Sequence, residues 1–145
     1  MEQPPANGWS PPEGLRPARL SVGIISAGRV GTALGYALER VEHVVVACSA
    51  ISGESRSRAQ RRLPDTSILP VPDVAQRAEL LLLTVPDAEL PSLVSGLAST
   101  GVVRPGTIVV HTSGANGVAV LAPLRLRERQ QVAEQLDLRA GERSL

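Results

Sequence analysis

The sequence predicts an α/β fold: a doubly wound parallel sheet of five strands in a single domain. Three observations carry that prediction. Short, continuous apolar runs at residues 20–25, 43–48, 79–85 and 107–111 read as strands buried on both faces, with a brief extra strand at 67–71. Segments with helical spacing or polar, helix-compatible composition separate them, and strands alternating with helices close into a parallel sheet through right-handed crossovers. The first run leads into a glycine turn, Ser26-Ala27-Gly28-Arg29-Val30-Gly31, followed by a helix. A chain of 145 residues is long enough for one domain with a sizeable core.

Each element has its own justification. After the turn, Val30, Leu34, Leu38 and Val41 fall at helical spacing, with Gly31 and Gly35 on the adjoining strip, where small residues allow close packing, so this segment reads as the first helix. Residues 52–62 carry Arg56, Arg58, Arg61 and Arg62 without an apolar stripe, which fits a loop or a short exposed helix. Asp73 is expected to cap a short helix ending near Arg77, and Asp87 to cap the helix that carries Leu90, Leu93, Val94 and Leu97, with Pro91 in its first turn. Pro105-Gly106 turns the chain into the fifth strand. Around this domain, placed at residues 19–124, residues 1–18 read as a proline-rich, disordered leader and residues 125–145 as a charged tail that fits an exposed helix better than a strand.

Composition excludes several functions. The net charge of +1 gives no general field for a membrane or nucleic acid, and the arginine cluster at residues 56–62 lacks the interleaved aromatics of a nucleic-acid surface. All 15 basic residues are arginine. A single cysteine, Cys48, forms no intrachain disulfide and no Cys-x-x-Cys pair, which suits a reducing cytoplasm; it reads as a small core residue, and no metal site is expected. No apolar run approaches the roughly 20 residues that cross a bilayer. The phosphate-binding loop with Gly-Lys-Ser/Thr is absent, and Thr112-Ser113-Gly114 lacks the preceding glycine of a nucleophile elbow.

What remains is a ligand at the carboxyl ends of the strands, where four loops gather: residues 26–31, 49–52, 86–87 and 111–114. In a dinucleotide fingerprint the second glycine admits the pyrophosphate, the third lets helix and strand approach, and the helix N-terminus offers free N–H groups. Gly28 and Gly31 fill those two places, and Ser26 stands where the first glycine would be. Ser26, Ala27, Gly28, Arg29, Val30 and Gly31 are therefore the pyrophosphate candidates. The second strand ends in Cys48-Ser49-Ala50 without the acidic residue that holds the ribose of NAD, while Ser49, Ser52, Arg56 and Arg58 can donate to a 2′-phosphate, so NADP is expected over NAD. The same arginines are also explained by a solvated helix surface. Val85 and Pro86 would lie beside the nicotinamide ribose, although a Pro-Asp helix start explains them equally. His111, Thr112 and Ser113 would face the reacting end. His111 and Ser113 are the catalytic candidates, set against the structural role that a lone strand-end histidine usually has.

Three motifs in order carry a family resemblance: Val-Gly-Ile-Ile-Ser-Ala-Gly-Arg-Val-Gly-Thr-Ala-Leu at 22–34, Thr-Val-Pro-Asp at 84–87 and His-Thr-Ser-Gly-Ala at 111–115. Together they resemble a bacterial family of uncharacterised, Rossmann-like oxidoreductases, in which this domain precedes a helical C-terminal domain of unknown function. The first motif is also similar to pyrroline-5-carboxylate reductase and, more distantly, to 6-phosphogluconate and 3-hydroxyisobutyrate dehydrogenases. The resemblance covers residues 20–124 and implies a nicotinamide dinucleotide, with NADP preferred. It also implies a sixth strand and a substrate and dimerisation domain that residues 125–145 do not resemble, so a truncated product is expected. Two further readings stay open: a non-catalytic dinucleotide sensor or interaction module, and an inert fragment. A small-molecule substrate is expected only if the missing domain is supplied.

Overall fold

The computed structural model describes residues 19–143; the leader expected at residues 1–18 and the last two residues of the expected tail lie outside the described residues. Five parallel strands, β1 (Ser21–Ile25), β2 (Val44–Cys48), β3 (Ser67–Ile68), β4 (Leu80–Leu83) and β5 (Ile108–His111), form one sheet in the order β3-β2-β1-β4-β5. Five helices connect and follow them: α1 (Arg29–Arg40), α2 (Gly53–Arg62), α3 (Val71–Arg77), α4 (Leu90–Thr100) and α5 (Ala122–Arg143). The strand order reverses at β1, whose residues Val22, Gly23 and Ile24 pair with β2 on one side and with β4 on the other, so a crevice opens above the carboxyl ends of β1 and β4.

The pleat divides the core into two layers. Val22, Ile24, Val45, Cys48 and Leu82 point to one face and pack with Ala59, Leu63 and Leu38 from α1, α2 and the turn after α2. Ile25, Ala47, Leu81 and Leu83 point to the other and pack with Val74 and Ala75 of α3, Leu90, Val94 and Leu97 of α4, and Leu121 and Leu124 at the start of α5. The central strands thus bury residues on both sides of the sheet, alternately along β1 and β4 and with a register shift in β2, which is why they read as unbroken apolar runs. β3 and β5 are the edges among the described residues, and Ile108 and Val110 stay exposed on β5.

Several expectations are corrected in detail. On α1 the close packing falls on the expected strip of small residues, with Gly31, Thr32 and Gly35 buried, whereas Val30 and Val41 of the apolar stripe are 53% and 62% exposed and Leu38 packs partly against the core. The reason is steric, because a Cβ on Gly35 would lie 2.7 Å from Ile24 Cδ1, so only the small strip lets α1 come this close. Residues 53–62 are helix rather than loop, with Ser52 as the cap whose hydroxyl accepts from the Ser55 N–H at 3.1 Å. The third strand stops at Ile68, because Pro70 is followed directly by α3. Asp73 sits inside the first turn of α3, whose cap position is Pro70. Asp87 begins a single 3-10 turn (Asp87–Glu89), and α4 starts after Glu89 without a side-chain cap. β4 ends at Leu83, earlier than expected, and releases Thr84 for bonds described below. The tail helix begins at Ala122, three residues before the expected start of the tail.

Candidate functional site

The turn after β1 is held from both sides. Ser26 adopts a positive φ of 76°, a conformation natural to glycine and costly for a residue with a side chain. Neighbouring strand ends hold it there. From the end of β2, Ser49 Oγ accepts the Ser26 N–H at 2.9 Å, and the Ser49 carbonyl accepts the Ala27 N–H at 2.8 Å. From the end of β4, Thr84 Oγ1 donates to the Ser26 carbonyl at 2.7 Å, with the Ile25 carbonyl at 3.1 Å. Gly31 closes the arrangement, since a Cβ there would sit 2.6 Å from both the Ser26 carbonyl and Thr84 Oγ1.

Gly28 is different. It occupies the cap position of α1 in extended conformation, makes no side-chain capping bond, and has no atom within 4 Å of where a Cβ would be. The first-turn amides of a helix lack intrahelical acceptors, so this open end presents donors and positive dipole to anything above it. Above it lies a cleft of about 680 Å³. Of the residues expected at a ligand, Ser26, Gly28, Ser49, Ser52, Arg58, Val85 and Pro86 line this cleft.

The others are placed elsewhere. Ala27 and Gly31 are buried beneath the turn, and Arg29 and Val30 lie on the exposed start of α1. Arg56 lines a neighbouring crevice and donates from Nε to the Ala50 carbonyl at 3.2 Å. Arg58 is paired with Glu54 at 3.0 Å, which occupies the acid of the second helix's first turn. His111 ends β5, Thr112 and Ser113 follow it, and none of the three lines the cleft. Their loop is bonded within itself: His111 Nδ1 accepts the Ser113 N–H at 3.1 Å, so Nε2 carries the proton it directs to the Gly117 carbonyl at 3.2 Å. Ser113 Oγ accepts from the Asn116 side chain at 2.9 Å, and Asn116 also reaches the Asp87 carbonyl at 3.3 Å, tying this loop to the one after β4.

Sequence reasoning missed Ile51, which is 96% exposed and lines the cleft beside Ser52. Its signal was an isolated large apolar residue in the Ser-Ala-Ile-Ser-Gly loop, where nothing in a core requires it. Asn116 was missed as well, because its partners depend on the juxtaposition of two loops 29 residues apart.

Cys48 is fully buried and burial pushes its thiol above the ordinary range, as befits a core residue. Among the described residues no group of histidine, cysteine and carboxylate side chains is arranged to hold a metal, and no helix is long and apolar enough to cross a membrane.

The Rossmann-like domain family matches residues 1–132 of the sequence. No curated protein matches it. Among solved structures, a proposed NADP oxidoreductase from Bacteroides fragilis is 25% identical with a TM-score of 0.59, over 70% of this chain and 38% of that one. The 3-hydroxyisobutyrate dehydrogenase of Mycobacterium tuberculosis, solved with L-serine, is 15% identical with a TM-score of 0.62, over 77% and 38% of the two chains. Prephenate dehydrogenase from A. aeolicus, solved with hydroxyphenyl propionate and NAD+, is 18% identical with a TM-score of 0.59, over 80% and 40%. The last two show a shared fold, and the chain spans less than half the length of each of the three.

Proposed function

We propose, from the premise that this chain belongs to the Rossmann-like domain family, that it binds a nicotinamide dinucleotide at the carboxyl edge of its sheet and prefers NADP to NAD. One observation carries the reading: the open, uncapped start of α1 at Gly28, set beneath a large cleft by a turn locked in place. Backbone without a side chain, facing upward from a helix N-terminus, suits a pyrophosphate. The residues that would hold the group are Ser26 and Gly28 with the first amides of α1 at the diphosphate, Ser52 and Arg58 at the adenosine end, and Val85 and Pro86 along the nicotinamide side.

The preference for NADP is supported by the end of β2, where Ser49 follows Cys48 and no carboxylate stands to repel a 2′-phosphate. Glu54, the acid next along the chain, is turned to Arg58. A bound nicotinamide supplies hydride transfer, with a small carbonyl, imine or hydroxy-acid compound as the partner class. Substrate binding belongs, in this reading, to a part of the machinery beyond the cleft residues, as the greater length of the solved neighbours suggests. A reducing cytoplasm suits the lone buried Cys48.

Thermal melting of the chain with NADPH, NADH and ADP-ribose tests the proposal. A ligand at a hundredfold excess over its Kd stabilises the fold by about 2.7 kcal/mol, so a clear rise in Tm is expected with all three and the largest with NADPH. No rise with any of them overturns it. A second reading, a dinucleotide-responsive module without chemistry of its own, is favoured by the bonds that engage both ring nitrogens of His111 and the Ser113 hydroxyl inside their own loop. Turnover by the isolated chain would argue against that one.

A further inference from the structure

Between α1 and α2 runs a groove of about 420 Å³, lined by Arg29, Thr32 and Ala33 on one side and by Arg58, Arg61 and Arg62 on the other. Arg58 lines both this groove and the cleft, so the two adjoin there. Four guanidinium groups face one space. Among the described residues only Arg58 has a carboxylate partner, the largely exposed Glu54; Arg29, Arg61 and Arg62 form no ion pair. The Thr32 hydroxyl donates to the Gly28 carbonyl at 2.8 Å, and Thr32 brings no negative charge to offset the arginines. Arg29 is also the first residue of α1, where the helix dipole adds further positive potential.

A solvated charged face is ordinarily built from interspersed signs, which lowers self-repulsion. Here the helix Gly53–Arg62 carries four arginines and one glutamate, and three of the four turn toward Arg29 across a concave surface. Planar guanidinium forks gathered along one groove match pairs of oxygens of a tetrahedral phosphate, which they bind bidentately. We propose that this groove is a binding site for a phosphate monoester dianion, held by Arg29, Arg58, Arg61 and Arg62. Arg56, held by the Ala50 carbonyl in the neighbouring crevice, takes no part. The phosphate has two sources of the same chemistry: the 2′-phosphate of a dinucleotide seated in the cleft and passing over Arg58, or the phosphate of a separate ligand. The first source rests on the function proposed above; the site itself does not.

Titration calorimetry on the full chain separates these cases, using NADPH, NADH, 2′-AMP and inorganic phosphate against the wild type, Arg29→Ala and the double variant R61A/R62A, with circular dichroism to verify folding. With the dinucleotide as source, NADPH and 2′-AMP bind the variants about tenfold more weakly or worse, and NADH binds them as it binds the wild type. R61K/R62K keeps the charge without the fork and falls between. With a separate ligand as source, inorganic phosphate binds the wild type at one site even under saturating NADPH, and that site is lost in R61A/R62A. Equal weakening of NADPH and NADH, or variants that bind every ligand as the wild type does, overturns the groove. If no dinucleotide binds the wild type, the function above fails, and 2′-AMP and phosphate alone decide the groove: binding lost in the variants supports it, and no binding to the wild type overturns it.

Discussion

Gly28 and Gly31 stand three residues apart and are constrained for opposite reasons. At Gly31 an added methyl meets the Ser26 carbonyl and Thr84 Oγ1 at 2.6 Å, and neither can retreat without loosening the turn they hold. At Gly28 the backbone has a φ of −77° open to any residue, and the methyl would enter empty space. Gly31→Ala is therefore expected to cost about 1–3 kcal/mol as overpacking against fixed backbone, and Gly28→Ala to leave stability nearly unchanged while lowering NADPH affinity. Urea unfolding and calorimetry of the two variants check this; equal loss of stability in both would refute the assignment of their roles. The sequence pattern already separates the two glycines by place, one for ligand and one for packing. It does not show what lets Ser26 replace a glycine, because the compensating bonds come from Ser49 and Thr84, 23 and 58 residues away. Compensation of that kind belongs to the sheet, and no local window contains it.

Among elements, β1 and β4 are joined at their starts as well as at their ends. The Glu79 carboxylate accepts the Ser21 N–H at 2.8 Å and the Ser21 hydroxyl at 3.1 Å, and those bonds, aided by Arg104, hold its carboxyl below the usual glutamate range. A folded-state pKa below the unfolded one stabilises the fold above the unfolded value, and the contribution is lost as pH falls through the folded value. Wild type should thus exceed Glu79→Gln in stability near neutral pH, and the gap should begin to close near about pH 4, where free glutamate protonates, and vanish only below the lowered folded-state value. Unfolding free energies measured from pH 7 downward test it, and a gap that stays constant with pH would show that the charge on Glu79 is immaterial. The strands themselves were legible because burial on both faces leaves an unmistakable apolar run. Helix orientation was legible in part: Gly31 and Gly35 mark the strip that packs closely, but periodicity does not show that contact with Ile24 leaves Val30 and Val41 exposed. Caps failed for a similar reason. Asp73 and Asp87 have the right chemistry for a cap, but Pro70 and the turn at Asp87–Glu89 fix where the helices begin.

For the molecule as a whole, the question is where its cooperative unit ends along α5. The first half of that helix belongs to the core: Leu124 is buried beside Leu121, the residue just before the helix, Glu128 accepts the Gly106 N–H at 2.6 Å, and Gln131 donates to the Gly101 carbonyl at 3.3 Å. Beyond Gln131 the character changes, with Val132, Leu136 and Leu138 exposed at 41%, 58% and 70%. The family match stops at residue 132, at the same place. With these apolar residues exposed the distal half buries little apolar surface, and a short helix gains most of its stability from such packing, so the distal half is expected to add helicity and little stability. A chain ending after residue 132 should melt cooperatively within a few degrees of the full chain and lose helical signal in circular dichroism. Leu124→Ala, by contrast, removes a buried side chain from the same helix and should cost about 2–5 kcal/mol. A shortened chain that melts as early as Leu124→Ala, or without cooperativity, would place the distal helix inside the folding unit and give its exposed leucines a stabilising contact.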